Sequence, residues 1–381
     1  MRRRLFVFGV VGLLLTELAN VYFIMPMPGS QQMRSIDAAY ALYRWRWVLR
    51  VLFGVMIVGG LPAMWRRVGW RRAPVAIALV ALAAVTYVVN FQMSADHMFR
   101  QTTALNMQPA SHNKVALNRL VVGLALNGDA RAYPLQFIGY HHQVVDSVAG
   151  QRVLVSYCTV CRTGRVYSPV IAGRTETFRL VGMDHFNAML EDRSTGSWWR
   201  QANGEAITGP LKGTKLPELP MVQVSLKQWL ALYPNSLIMQ GDPAFIDDYA
   251  KDYAYERGLS RKKLTGTDTA SWKDKSWIVG VTVNGASKAY DWNRLVRERV
   301  VNDVVGGTPV VVLLGSDTLS YFAFRRPSET TRFTMRGDSL VSDSRAYALS
   351  GAGPAGKLEP LNASQEFWHS WRTFQPATTR Y

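Results

Sequence analysis

Cysteine is almost missing from this chain. Two cysteines in 381 residues cannot make the framework of a disulfide-stapled scaffold. Histidine is scarce at six, and acids are outnumbered, with 27 Asp+Glu against 44 Lys+Arg. There is no Cys-x-x-Cys-His, no phosphate loop and no nucleophile elbow, so neither a haem nor a nucleotide is expected. Disorder is excluded by an apolar fraction of 48%. A net charge of +17 resembles a nucleic-acid footprint until it is divided along the chain. Residues 1–93 hold 11 Arg and two acids, and the other 288 residues hold 33 basic and 25 acidic side chains with no long basic run. The excess is partly a membrane-topology signal, and no nucleic-acid partner is expected.

A bilayer core takes roughly 20 mostly apolar helical residues. Three stretches qualify, at about 5–25, 48–65 and 73–92. The first has a basic start, but its apolar run is too long for a signal peptide and no cleavage site follows. Residues 1–93 therefore read as a three-helix transmembrane anchor. Arg2, Arg3 and Arg4 precede span one, and Arg66, Arg67, Arg71 and Arg72 lie between spans two and three. The positive-inside rule places these ends in the cytoplasm and residues 94–381 outside, in the periplasm of a bacterial inner membrane. Glu17 and Asn20 fall inside span one. A single intramembrane acid without a relay reads as a helix–helix contact, with Arg50 of span two reaching towards it.

The rest of the chain matches itself at an offset of 157 residues. VGLALNGDARAYP (122–134) aligns with VGVTVNGASKAYD (279–291), and VVDSVAGQRVLV (144–155) with VNDVVGGTPVVV (301–312). The expected fold class is thus an anchor followed by a β-rich α+β domain of two duplicated lobes. The first lobe spans 94–240, a linker 241–277 reads as a short helix and a loop, and a degenerate second lobe spans 278–381. Asn-Gly at 127–128 signals a hairpin that resumes as RAYPLQF. Short helices are expected near SLKQWLALY and SQEFWHSWRTF.

Chemistry is sought where the copies differ. Only the first lobe has Cys158 and Cys161, and five of the six histidines lie between 97 and 185. YCTVCRTG follows the strand QRVLVSY and precedes strand residues, so the pair is expected at a hairpin tip rather than opening a helix as in thioredoxin-type sites. Two sulfurs on a knuckle suit zinc or copper(I), with His142, His185 or His141 completing the set and Met183 and Met189 able to offer thioethers. His142 is the first choice, because an extended chain puts it on the face of Val144 and Asp146. A disulfide in an oxidising compartment fits the same spacing.

These residues resemble a family, the bacterial and archaeal domain of unknown function numbered 3179. The resemblance rests on AYP (132–134), YHHQVVD (140–146), YCTVCRTG (157–164), DRSTGSWWRQ (192–201), GEAITGPLKG (204–213) and WLALYP (229–234). The usual variant looks like Cys-Pro-Leu-Cys-Gly; Thr159, Val160 and Arg162 depart from it and mark a membrane-anchored subgroup. The resemblance implies no activity, but it adds Glu205 and Trp199 to the candidate site. Three readings stay open: a metal-binding protein, a thiol–disulfide oxidoreductase with a redox partner protein, and a non-catalytic binding or assembly module with a structural cysteine pair.

Overall fold

The computed structural model describes residues 1–66, 69–343 and 345–381, with the backbone alone at Arg71. Arg67 of the expected basic loop lies outside the described residues. The chain divides into two compact units. One is Met1–Arg100 with Phe178–Arg200 and Glu205–Thr214; the other is Gln101–Thr177, Gln201–Gly204 and Lys215–Tyr381. Part of the stretch expected as the first lobe therefore clusters with the anchor.

In hydrocarbon a backbone must satisfy its own hydrogen bonds, and a helix does so within one segment. Among the described residues, Arg2–Ile24, Ile36–Trp65 and Ala73–Gln92 are the three helices long and apolar enough to cross a membrane. The third changes to a π-helix over its last turn, Val88–Gln92. Arg50 does reach Glu17, in a bidentate pair at 2.6 and 2.9 Å. Asn90 closes the network, donating to Glu17 Oε2 at 2.8 Å and accepting from Arg50 at 2.6 Å. One polar residue from each helix thus bonds the other two, and such pairing is how a charge is tolerated inside a membrane segment.

The same unit carries a four-stranded antiparallel sheet built from Phe178–Asp184, Asn187–Asp192, Trp198–Arg200 and Ala206–Thr208. Its buried Val181, Met189, Trp198 and Ile207 pack with Ala39 and the flanking Tyr40 and Tyr43. Trp198 meets Tyr40 edge-on at 5.1 Å.

In the second unit, two sheets share one strand pattern. The hairpin Leu120–Leu126 and Asp129–Pro134 has Val222–Ser225 antiparallel on one edge and Leu237–Met239 parallel on the other. The hairpin Trp277–Val283 and Ala286–Asp291 has Ala363–Phe367 antiparallel and Thr379–Arg380 parallel in the same places. Both turns are Asn-Gly with positive φ at both residues (45° and 86°; 49° and 75°), as a tight hairpin requires. Each hairpin leads to a seven-residue helix, Leu135–His141 or Trp292–Glu298, and then to a three-stranded sheet. Tyr133 donates to Asp146 at 2.7 Å, and Tyr290 to Asp303 at 3.0 Å. Gly123 and Gly280 each lie under an indole, Trp229 or Trp371, where a Cβ would sit 2.3 Å from ring carbons. Thr308–Leu314 is buried on both faces, and its alternation divides it: Val311 and Leu313 join one core, while Val310, Val312 and Leu314 join another.

Two local expectations change. RAYPLQF is not one strand, because Pro134 ends it and the chain turns helical at Leu135. The expected helix over DDYAKDYAYERG is a series of turns, with one short 3-10 segment before it at Pro243–Phe245. Asp146 accepts from a tyrosine hydroxyl as well as from the backbone N–H of Ser147.

Candidate functional site

Cys158 ends the strand Gln151–Cys158 and pairs with Thr163, leaving the four-residue loop Thr159–Arg162. The loop closes through a left-handed residue, Arg162, at φ +60°. A side chain in that conformation costs about 1–2 kcal/mol, so glycine normally takes the position. Here the guanidinium offsets the cost. It is fully buried and donates to Gln365 Oε1 (2.8 Å) and to the carbonyls of Tyr255 and Glu256 (both 3.0 Å). It also stacks 3.6 Å from the centre of the Trp277 ring.

Three of the loop's four carbonyls, those of Thr159, Val160 and Cys161, are engaged by distant parts of the chain. Tyr255 OH donates to Thr159 O at 3.1 Å, and Lys275 Nζ to Val160 O at 2.7 Å. His369 Nε2 lies 3.2 Å from the same Val160 carbonyl. The Phe367 N–H donates to Cys161 O at 2.9 Å. The loop is a clasp on which residues 255–275 and 365–370 converge.

Both cysteines are buried thiols. Burial pushes the Cys161 thiol well above the ordinary cysteine range, helped by the hydrogen-bonded Cys158 thiol; a hydrogen bond to Ser370 works the other way. Burial also lowers the Lys275 ammonium, against the pull of the two cysteines. His369 is pushed down to about 4, first by burial and then by the Lys275 charge. Behind the loop, buried Arg165 bonds Glu366 at 2.5 Å, and Glu366 accepts from Ser364 and Ser370, each at 2.9 Å. Ser370 thus joins the ion pair to the Cys161 thiol.

Among the described residues, no group of three or more His, Cys, Asp or Glu side chains is placed to hold a metal ion. His142 does not follow strand parity, because it sits at φ +62° where the helix Leu135–His141 stops. It is buried, and it faces the Tyr140 carbonyl at 3.1 Å; burial pushes it down to about 4. His141 Nε2 lies 2.7 Å from Tyr249 OH, in a group of rings with Tyr140 and Phe245.

His185, Met183, Met189, Trp199 and Glu205 all belong to the unit that contains the anchor. His185 pairs with Asp184 at 2.7 Å, and Asp184 also takes Arg200. Burial raises the Asp184 carboxyl, but its hydrogen bond from His185 and its pairing with Arg200 leave it below its usual range. Met183 is half-buried on the Phe178–Asp184 strand, and Met189 is buried in the core with Trp198. Trp199 donates to Asp192 at 2.8 Å, and Glu205 lies 3.9 Å from Arg200. Sequence reasoning missed Lys275, Glu366, His369 and Ser370. One signal was available: His369 is the sixth histidine, in a Trp-rich segment, and the repeat alignment assigned it to the lobe without cysteines.

The chain thus combines three membrane-length apolar helices with a strand-rich part that buries Cys158 and Cys161. A family model described as a protein of unknown function, DUF3179, matches residues 103–378, and the chain belongs to that family. No curated protein and no solved structure matches it.

Proposed function

We propose that the protein is a membrane-anchored binding or assembly module whose Cys158–Cys161 pair is a redox-closed clasp. The observation that carries this reading is the contact between two fully buried thiols on a four-residue hairpin loop. A turn brings its first and fourth residues within about 7 Å, inside the span a disulfide bridges. Closing the clasp forms one S–S bond and passes two electrons and two protons to an external protein disulfide, which becomes two thiols. Burial argues against turnover as an oxidoreductase, since catalytic thiols are partly exposed and have lowered pKa values. The extramembrane part lies on the periplasmic side of a bacterial inner membrane, where such a bond persists. The basic ends of the anchor support that orientation. A fusion of alkaline phosphatase to the C-terminus is expected to be active; an inactive fusion with a fluorescent cytoplasmic reporter reverses the topology.

The shared strand pattern, the paired Tyr–Asp hydrogen bonds and the paired Gly–Trp contacts support descent of the two lobes from one duplicated unit. In that reading the second copy has lost the cysteines and supplies the residues that cover them.

The test compares melting of the full chain with and without reductant, beside a Cys158→Ser/Cys161→Ser variant. A disulfide closing four residues stabilises by ~2 kcal/mol in the chain-entropy model, or ~4–8 °C for a domain of this size. That shift is expected in the wild type and absent in the variant. A wild type indifferent to reductant that holds zinc or copper stoichiometrically would replace the clasp with a metal centre.

A further inference from the structure

The anchor contains a pocket of ≈ 260 Å³ where its three helices end on the side of residues 20–24, 43–50 and 89–96. Its wall carries two chemistries. Val21, Ile24, Val89 and Met93 pack in one apolar cluster, and Asn20, Arg46, Arg50 and Arg179 add polar atoms to the lining. Arg50 is spent on Glu17 and Asn90, and Arg179 on Glu191 and Asp96. Arg46 differs. It donates to the Tyr43 carbonyl at 2.6 Å and lies 3.6 Å over the Tyr43 ring. Among the described residues, no carboxylate pairs with it. Asn20 adds a second observation, because both its amide oxygen and nitrogen are buried with no hydrogen-bond partner. An orphaned amide is expensive at this depth and invites a ligand atom. The π-turn Val88–Gln92 is a third, since such bulges collect at functional sites. Trp47 on the pocket rim sets the level at the membrane–water interface.

We infer that this pocket binds an anionic glycerophospholipid, with its phosphate on Arg46 and Asn20 and an acyl chain along Val21, Val89 and Met93. In the proposed topology the pocket faces the periplasmic end of the anchor, where a guanidinium and an amide can hold a phosphate through charge-assisted hydrogen bonds. A cation flanked by an apolar groove selects an amphiphile over a free anion.

Native mass spectrometry of the full chain in detergent tests this, titrating phosphatidylglycerol and phosphatidylcholine of matched acyl chains. Preferential retention of phosphatidylglycerol is expected. It should weaken about tenfold or more in Arg46→Gln, the worth of one charge-assisted hydrogen bond, and stay unchanged in the exposed control Arg44→Gln. Asn20→Leu provides a second variant should Arg46→Gln fail to fold. It removes the orphaned amide, so the chain is expected to melt no lower while losing the preference. Equal retention of both lipids, equal loss in the control, or retention unaffected by Arg46→Gln or Asn20→Leu overturns the inference. Competition by millimolar inorganic phosphate to the same extent as by lipid overturns it too, since that marks an anion site.

Discussion

Replacing Arg165 by leucine removes the cation that joins the clasp's strand to the segment covering it. Arg165 and Glu366 are 8% and 2% exposed, and their contact is 2.5 Å. The guanidinium also donates to Ala202 O and Gly164 O, each at 2.9 Å. Breaking one side of a buried pair leaves the other charge without its partner and costs about 3–5 kcal/mol. At ~2–4 °C per kcal/mol for a domain of this size, the melting temperature should fall by ~6–20 °C. Tryptophan fluorescence of the full chain in detergent reads this out. The double variant Arg165→Leu/Glu366→Leu removes both charges, so it is expected to lose less than the sum of the two single variants, by more than ~1 kcal/mol. A single-variant cost under ~1 kcal/mol, or strict additivity, would refute the reasoning, because the pair would then behave as a solvated one.

Tyr133→Phe should cost ~1.5–3 kcal/mol by removing a hydrogen bond to a carboxylate. Tyr290→Phe should cost less, since Asp303 keeps Lys288 at 2.6 Å; equal losses would count against this. His142 and His369 each fall to about 4 in the folded state, against an ordinary value of 6.5. Between those values the unfolded chain takes up protons that the folded chain refuses, so stability falls as pH drops from about 6.5 towards 4. Each contributes ~1 kcal/mol of loss by pH 5.5. His369, which faces Lys275, Asp274 and Arg372, is the one to test. His369→Gln should lose ~2–4 °C less than wild type between pH 8 and pH 5.5, as measured by paired thermal melts.

What the sequence revealed was local in origin. The membrane helices were legible because a run of some 20 apolar residues has few other solutions. The hairpins were legible because Asn-Gly meets the positive φ that a tight turn needs. The Cys158–Cys161 loop was placed at a strand turn by its flanking strand residues, without knowledge of its surroundings. The parity argument for His142 does not apply, because parity holds only in extended chain and a helix begins after Pro134. Lys275, Glu366 and His369 stand more than a hundred residues from Cys161, and no periodicity reports contact over such separations. Arg162 marks the boundary. Its departure from glycine was visible, but the carbonyls of Tyr255 and Glu256 that offset its backbone cost were not.

The central claim is the state of two sulfurs, and thiol trapping reads it directly. Full-length protein extracted from membranes is alkylated under denaturing conditions and its intact mass recorded, with elemental analysis on the same sample. The clasp predicts a chain two hydrogens lighter than the dithiol, unalkylated until a reductant is added, and without stoichiometric zinc or copper. Immediate alkylation of both Cys158 and Cys161, or one equivalent of metal per chain, would contradict it.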